Sequence, residues 1–509
     1  MPGKKQLVIN LIANTLAFSI SFGISFFLTP FIIKTVGSVA YGFVSLALDF
    51  LSYASLITIA LNSMAGRFIT IKIHQNDNEG ANKYFNSVLV SNSIMSAALA
   101  IPAFLCIVFL NKLVNVPPEI YTDVQILIAF LFLNFVLSIM GTTFSVATFA
   151  RNRLELSSLR SIEFNIIRAI MLVSLFTFLR PSVSYIGITA CVASTFVLIT
   201  NVYYTKTLLP EVRIDKKYFD FKAVLELITS GVWNTIVRLG QLLLDGFDLL
   251  ITNIFIGATA MGTLAIAKTV PMFITSVVGM LAGVFMPQFT IIYAKNDMPS
   301  LISNIKKSMK IMGIIVGIPV SLLIAYGDVF YHLWVPSQDA KLLQILSIIS
   351  VASIIISGSI NSIYNIFTVT NKLKANALWL VGSGLINILI VVILLKTTLL
   401  GLYAIAGIST IISIVRNLVF TAPYGAKCLN LRWPTFYDEI LKSIVAVFIV
   451  TAIALSLRLL LNIDSWATLI LFGGISAIIG LILNMFFILN KEERNYLVQA
   501  SLKIVRREK

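Results

Sequence analysis

The sequence predicts an all-α integral membrane protein built from two equivalent helical bundles, and three observations carry that prediction. Of the 509 residues, 58% are hydrophobic and only 12% are charged, with a mean hydropathy of +0.94. A soluble chain carries roughly a quarter charged residues. Long stretches hold no charge at all. Residues 7–33 contain no Asp, Glu, Lys or Arg, which exceeds the ~20 residues that cross a hydrocarbon core. Finally, the second half repeats the first at a fixed offset. Asn14-Thr15 recurs as Asn234-Thr235, and Gly37-Ser38-Val39-Ala40-Tyr41-Gly42 recurs as Gly257-Ala258-Thr259-Ala260-Met261-Gly262, both 220 residues on. Asn152-Arg153-Leu154 recurs as Asn371-Lys372-Leu373 at a shift of 219.

Taken in chain order, the spans fall at about 7–33, 43–66, 85–110, 122–147, 161–179, 185–206, 225–256, 263–293, 307–326, 342–367, 376–396, 402–424, 441–461 and 466–489, about fourteen in all. Lys4 and Lys5 precede the first, but no small-residue cleavage site follows. Its apolar run is too long for a signal peptide, so it reads as an uncleaved span. The second span opens after the Gly37 to Gly42 turn, and the Asn-Arg/Lys-Leu turns follow spans 4 and 10. Charge checks the count. With the N-terminus inside, the inner loops and tails hold 28 of the 38 Lys and Arg residues. The outer side holds six: Lys34, Lys112, Arg180, Lys341, Lys396 and Arg458. That asymmetry puts both termini on the cytoplasmic side.

The net charge of +16 is thereby explained by topology. Basic inner loops and the tail over residues 491–509 meet anionic lipid headgroups, and nucleic acid is excluded as a partner. Cys106, Cys191 and Cys428 show no paired spacing and read as small buried apolar residues. Two histidines, His74 and His332, cannot make a His-rich metal site. A phosphate loop is approached from Gly262 to Lys268-Thr269, but Ala267 stands where its second glycine belongs. The longest loops, about 67–84, 207–224 and 327–341, are too short for a soluble catalytic domain. No cofactor, no metal, no ATPase and no enzymatic activity are expected. A membrane polysaccharide polymerase, the enzyme alternative, generally needs a sizeable outer loop that this chain lacks.

Charged side chains are costly at mid-bilayer, and those that persist face a wet cavity or a partner. Span 7 is the richest: Asn234, Arg238, Gln241, Asp245 and Asp248 follow one another at helical spacings and form one expected stripe. Such a stripe reads as the lining of an aqueous cavity, with Arg238 toward the inner half and the carboxylates toward the outer. Span 1 offers Asn14, Ser21 and Ser25 at the corresponding positions, polar without charge. Arg168 lies mid-way along span 5, with Glu163 nearer its inner end. Arg168 and Arg238 either bind an anionic ligand, for which guanidinium suits phosphate, or pair with Glu163 and Asp245. Asp245 and Asp248 are the candidate site for a coupling ion, proton or sodium. Asp49 and Lys268 form a candidate gate pair across the repeats, with snorkelling of Lys268 as the alternative. Arg416 sits close enough to the inner surface to snorkel.

The turn at Gly37 to Gly42, running into Phe43-Val44-Ser45-Leu46-Ala47, resembles the start of span 2 in polysaccharide-export flippases of the multidrug/oligosaccharidyl-lipid/polysaccharide exporter superfamily. Leu61-Asn62-Ser63-Met64-Ala65-Gly66-Arg67 and the Asn-Arg/Lys-Leu turns are also similar, and the resemblance extends over the whole chain in length, span number and repeat. It implies a V-shaped pair of six-helix lobes related by a pseudo-twofold along the membrane normal. The N-lobe would occupy residues 1–210 (spans 1–6), a cytoplasmic linker 211–224, and the C-lobe 225–430 (spans 7–12). Two further spans would occupy 431–490, ahead of the basic tail; in the lipid II branch such helices guide a lipid tail.

Duplicated bundles are the architecture of alternating-access transporters, with the substrate held at the repeat interface. The resemblance implies an undecaprenyl-diphosphate-linked oligosaccharide, such as an O-antigen unit of lipopolysaccharide, carried across a bacterial inner membrane. Arg168 and Arg238 would hold the diphosphate; Asn234, Gln241, Asn14, Ser21 and Ser25 would line the cavity. A polysaccharide polymerase and a chain-length regulator are the expected protein partners. The alternative is a cation-coupled drug exporter of the same superfamily, although those usually have twelve spans and take cationic compounds. A non-transporting scaffold would not need the polar stripe.

Overall fold

The computed structural model describes residues 2–460 and 462–495. These residues are helical almost throughout. In order they form α1 (Pro2–His74), α2 (Asn78–Val108), the short α3 (Leu110–Leu113), α4 (Tyr121–Ala150), α5 (Leu154–Phe178), α6 (Ser184–Leu208), α7 (Phe221–Gln241) and α8 (Asp248–Phe255). There follow α9 (Ala258–Ala294), α10 (Met298–Trp334), α11 (Ala340–Val369), α12 (Leu373–Thr397), α13 (Leu402–Arg416), α14 (Ala422–Cys428), α15 (Tyr437–Leu460) and α16 (Trp466–Ile488). π-Helical turns join α7 to α8 at Leu242–Gly246 and α13 to α14 at Asn417–Thr421. Of the basic tail expected over residues 491–509, residues 496–509 lie outside the described residues.

Among the described residues, twelve helices are long and apolar enough to cross a membrane. The first of them, Ile9–His74, has 66 residues and would reach about 100 Å as one straight helix, against a core of about 30 Å. It is two helices joined at Gly37, whose φ of 87° and ψ of 163° break the helix. Only glycine takes that backbone conformation without strain. The seventh expected span is not among the twelve: it is α7 and α8, interrupted by the π-helix and carrying Arg238, Asp245 and Asp248. Against the fourteen expected spans, the first of the twelve helices covers two and the seventh expected span is not among them.

The duplication is visible in the backbone. Gly257 has φ 128°, like Gly37 one repeat earlier. Asn76 and Asn296, also 220 apart, take left-handed φ of 58° and 55°, and the aspartates that follow them cap the next helices. Asp77 accepts from the Gly80 amide at 2.8 Å and Asp297 from the Ser300 amide at 3.1 Å. Asn152 and Asn371 end their helices at φ 53° and 54°.

The chain packs as two compact units, Met1–Ala265 and Ile266–Lys509. In the first, α7 enters the core with the helices before it: Val224 and Leu227 bury against Leu61, Ala65, Ile69, Phe85 and Val88. The segment between α6 and α7, read from sequence as a linker, is pinned to α2. Asn82 and Asn86 bind the backbone of Glu211, Arg213 and Asp215 at 2.6–3.0 Å. In the second unit α10 is central. Gly313 and Gly317 let α15 approach closely, since a Cβ on Gly313 would stand 2.1 Å from Ser443 Oγ. Small residues at this spacing are how membrane helices bring backbones together. Ser321 and Tyr326 continue the seam with hydrogen bonds to the Val447 and Ala454 carbonyls, and Arg458 pairs with Asp328 at 2.5 Å.

Candidate translocation site

The polar residues of α7 and α8 take their positions from the second half of α1. Gly231 rests on the Ala60 backbone so closely that a Cβ would fall 2.0 Å from the carbonyl oxygen. Just along α7, Asn234 donates to Ser63 Oγ at 3.2 Å. The next turn carries Arg238, half-buried, whose Nη1 donates to Gln241 Oε1 at 3.3 Å. At this point the expected single stripe breaks. The π-helix inserts an extra residue, which turns everything beyond it by about a quarter of a revolution relative to an unbroken α-helix. Gln241 and Asp245 are exposed, whereas Asp248 is 2% exposed. The two carboxylates expected to share one face therefore stand in different surroundings.

Sequence reasoning missed the residue that holds this bulge. Tyr53 on α1 donates from its hydroxyl to the Gly246 carbonyl at 2.5 Å, and its ring stacks on Phe247 at 4.7 Å and 9°. A π-turn leaves backbone groups out of register, and Tyr53 satisfies one of them. Its signal was an aromatic hydroxyl one helical turn after Asp49 on the same span. Asn253 was also missed. Fully buried, it exchanges three hydrogen bonds with Asn115 in the loop after α3, at 2.6, 2.9 and 3.2 Å. Nearby in sequence, the repeat glycines themselves meet: a Cβ on Gly42 would lie 2.8 Å from Gly262 Cα, and one on Gly262 would lie 2.5 Å from the Ser38 carbonyl oxygen.

The remaining candidates divide. Ser21 accepts from Asn165 on α5 at 2.9 Å, and Arg168 lies one helical turn beyond Asn165 on that helix. Ser25 is half-buried, its carbonyl accepting from Thr29, and Asn14 is exposed. Glu163 pairs with Arg160 at 2.7 Å, so the Arg168–Glu163 pair is not formed. Among the described residues neither Arg168 nor Arg238 is in a salt bridge, which removes the Arg238–Asp245 pair as well. Asp49 lies on α1 in the first unit and Lys268 on α9 in the second, each half-buried. Arg416 does not snorkel. It is 8% exposed and its Nη2 donates to the Tyr364 hydroxyl.

The motif residues that carry the family resemblance each have a physical task. Asn62 and Asn92 bond amide to amide at 2.9 and 3.0 Å, joining α1 to α2, while Leu61 and Ala65 enter the core. Asn10, 5% exposed, bonds the Asn152 carbonyl and side chain at 3.1 and 3.0 Å, which ties the first span to the Asn152 turn.

With this geometry in view, the comparisons with known proteins are consistent. The chain is 29% identical over 477 residues, 94% of each protein, to the uncharacterized membrane protein EpsK of Bacillus subtilis (strain 168). Its fold is similar to that of the lipid II flippase MurJ in an inward closed conformation, with a TM-score of 0.66 at 15% identity, covering 94% of this chain and 99% of that one. It is also similar to an inward-facing multidrug resistance MATE family transporter of the MOP superfamily, with a TM-score of 0.63 at 13% identity, covering 83% and 98%. At such identities these two likenesses speak to the fold alone. The polysaccharide biosynthesis protein family matches residues 7–293, more than half of the chain, and this multi-pass membrane protein belongs to that family.

Proposed function

We propose that the protein is a flippase that moves an undecaprenyl-diphosphate-linked oligosaccharide, an O-antigen or similar surface polysaccharide unit, across the bacterial inner membrane by alternating access. The observation that carries this reading, in a chain of this family and fold, is the pair of membrane arginines without carboxylate partners, Arg168 and Arg238. A guanidinium withdrawn from water needs an anion, and a diphosphate supplies one that paired N–H groups fit. Arg238 is oriented by Gln241, and Arg168 lies one turn along α5 from Asn165, which bonds Ser21. Asn234, Gln241, Asn14, Ser21 and Ser25 would meet the sugar. The polyprenyl chain would stay in lipid.

Coupling would fall to Asp245, inside the π-bulge that Tyr53 holds, and Asp248, just past it. Taking up a proton or a sodium ion there removes negative charge at the bulge, a change able to bias a two-state element. The Asp49 and Lys268 pair would hold one access state closed. In this reading residues 1–210 and 225–430 are the rocking lobes, both termini are cytoplasmic, the chain is not itself an enzyme, and a polymerase and a chain-length regulator take the product onward. A cation-coupled drug exporter of the same superfamily is the second reading.

The test is where lipid-linked oligosaccharide accumulates when the protein is depleted. Build-up on the cytoplasmic leaflet with loss of surface polysaccharide supports the flippase. Normal surface glycan with new sensitivity to cationic drugs supports the exporter. Arg238→Ala should abolish export without affecting membrane insertion, and Arg238→Lys should retain part of it. Full function in Arg238→Ala removes that residue from the site.

A further inference from the structure

Arg416 stands apart from the residues used above. It ends α13, about 18 Å of helix short of Cys428 at the end of α14. Its Nη2 donates to the Tyr364 hydroxyl at 2.9 Å and, at 3.4 Å, to Asn417 Oδ1, and its cation lies 6.0 Å from the Tyr364 ring centroid. Nε and Nη1 are buried and meet no protein acceptor, and the same holds for Nδ2 of the fully buried Asn417. The network sets the orientation of that amide. Oδ1 accepts from the Tyr364 and Thr421 hydroxyls and from Arg416 Nη2, which can only donate, so turning the amide over would set its nitrogen against the guanidinium. Three buried donor atoms on two consecutive residues are left facing no acceptor.

The charge also lacks a counter-ion in its unit. Among the described residues there, Asp328 pairs with Arg458, Asp438 with Lys442, Glu439 with Lys306 and Glu493 with Lys310. Asp297 and Asp339 cap helices, and Asp464 and Glu492 lie beyond the ends of α16. A desolvated guanidinium with neither counter-charge nor a full set of hydrogen bonds is strongly unfavourable. It adjoins a π-turn (Asn417–Thr421), a feature that gathers at functional sites. We propose that Arg416, Asn417 and Tyr364 form an anion site for a phosphate or diphosphate ester, separate from Arg168 and Arg238. An oxyanion brings several acceptor oxygens to donors on both sides of the guanidinium.

The test titrates the full chain, in nanodiscs of zwitterionic phosphatidylcholine, with inorganic diphosphate at constant ionic strength, read by calorimetry and by melting midpoint. Diphosphate is expected to bind wild type, and Arg416→Gln to weaken binding about tenfold or more, both alone and on an Arg168→Gln/Arg238→Gln background. Asn417→Asp replaces the Nδ2 donor by a carboxylate oxygen and sets an internal counter-charge beside the Arg416 guanidinium. It should abolish binding while raising the ligand-free melting midpoint, which separates lost binding from lost folding. Unchanged affinity in Arg416→Gln and Asn417→Asp overturns the site, and chloride competing as strongly as diphosphate overturns the oxyanion class. Repeating the titration in discs containing phosphatidylglycerol distinguishes sources: competition assigns the site to phospholipid headgroups, and its absence to a diphosphate-bearing substrate. Failure of the Arg168 and Arg238 reading leaves a different trace, with that double variant binding like wild type while Arg416→Gln still loses affinity.

Discussion

Replacing Gly262 by alanine tests whether the meeting of the repeat glycines is a real close contact of the fold. The new Cβ would lie 2.5 Å from the Ser38 carbonyl oxygen, 2.8 Å from its carbon and 3.1 Å from the Val39 nitrogen, where ordinary contact begins at 3.4 Å. These are backbone atoms, so no rotamer change relieves them and the helices must part by about 0.9 Å, the difference between 3.4 and 2.5 Å. Overpacking of this kind costs about 1–3 kcal/mol, offset by the ~1 kcal/mol that alanine gains over glycine inside a helix. Gly279 on the same helix has nothing within 4 Å and should show that gain alone. The two variants should therefore differ by about 1–3 kcal/mol in opposite directions. The assay is maleimide labelling of Ala40→Cys, a position 2% exposed, in a background lacking Cys106, Cys191 and Cys428. The net penalty of up to ~2 kcal/mol corresponds to as much as about 30-fold more of the open form. Gly262→Ala should speed labelling by that factor and Gly279→Ala should not. Equal labelling in the two would refute the reasoning.

Other outcomes follow from the same contacts. Tyr53→Phe keeps the stack on Phe247 but loses the bond to the Gly246 carbonyl; it should lower stability by about 1–3 kcal/mol and raise amide exchange at 242–247, whereas unchanged exchange would mean the bulge holds itself. Asn253→Ala removes the two bonds that its side chain makes to the Asn115 backbone and should lower the melting midpoint more than Asn115→Ser, which loses only the amide bond to the Asn253 carbonyl. Gly313→Leu should release α15, made visible by thiol labelling of Ser443→Cys, 2% exposed in the native chain. Asp77 has its carboxyl held below the usual range, chiefly by its bond to Lys72 and then by the Gly80 amide. A depressed folded value contributes stability at neutral pH that is lost as pH falls through it. Asp77→Asn should therefore be the less stable protein at pH 7 and should converge with wild type on acidification; a gap that persists at low pH would mean a cause other than charge.

What the sequence determined by itself was the local and the repeated. Uncharged runs long enough to span, and an offset of 220 residues, followed from composition and spacing. The structure repeats that offset in Gly37 and Gly257 and in Asn76 and Asn296, because a left-handed turn is a demand of one residue on its own backbone. The Asn76-Asp77 and Asn296-Asp297 match was equally readable and went unused. Tertiary structure decided what depends on neighbours distant in the chain. Nothing in the 234–248 spacing announces a π-turn, whose stability rests on Tyr53 nearly 200 residues away, and that turn splits Asp245 from Asp248. Arg416 illustrates the same limit. Its distance from the helix end was compatible with snorkelling, but Tyr364 and Asn417 hold it inside. Periodicity states which side of a helix a residue occupies, whereas what meets that side is fixed only when the helices pack.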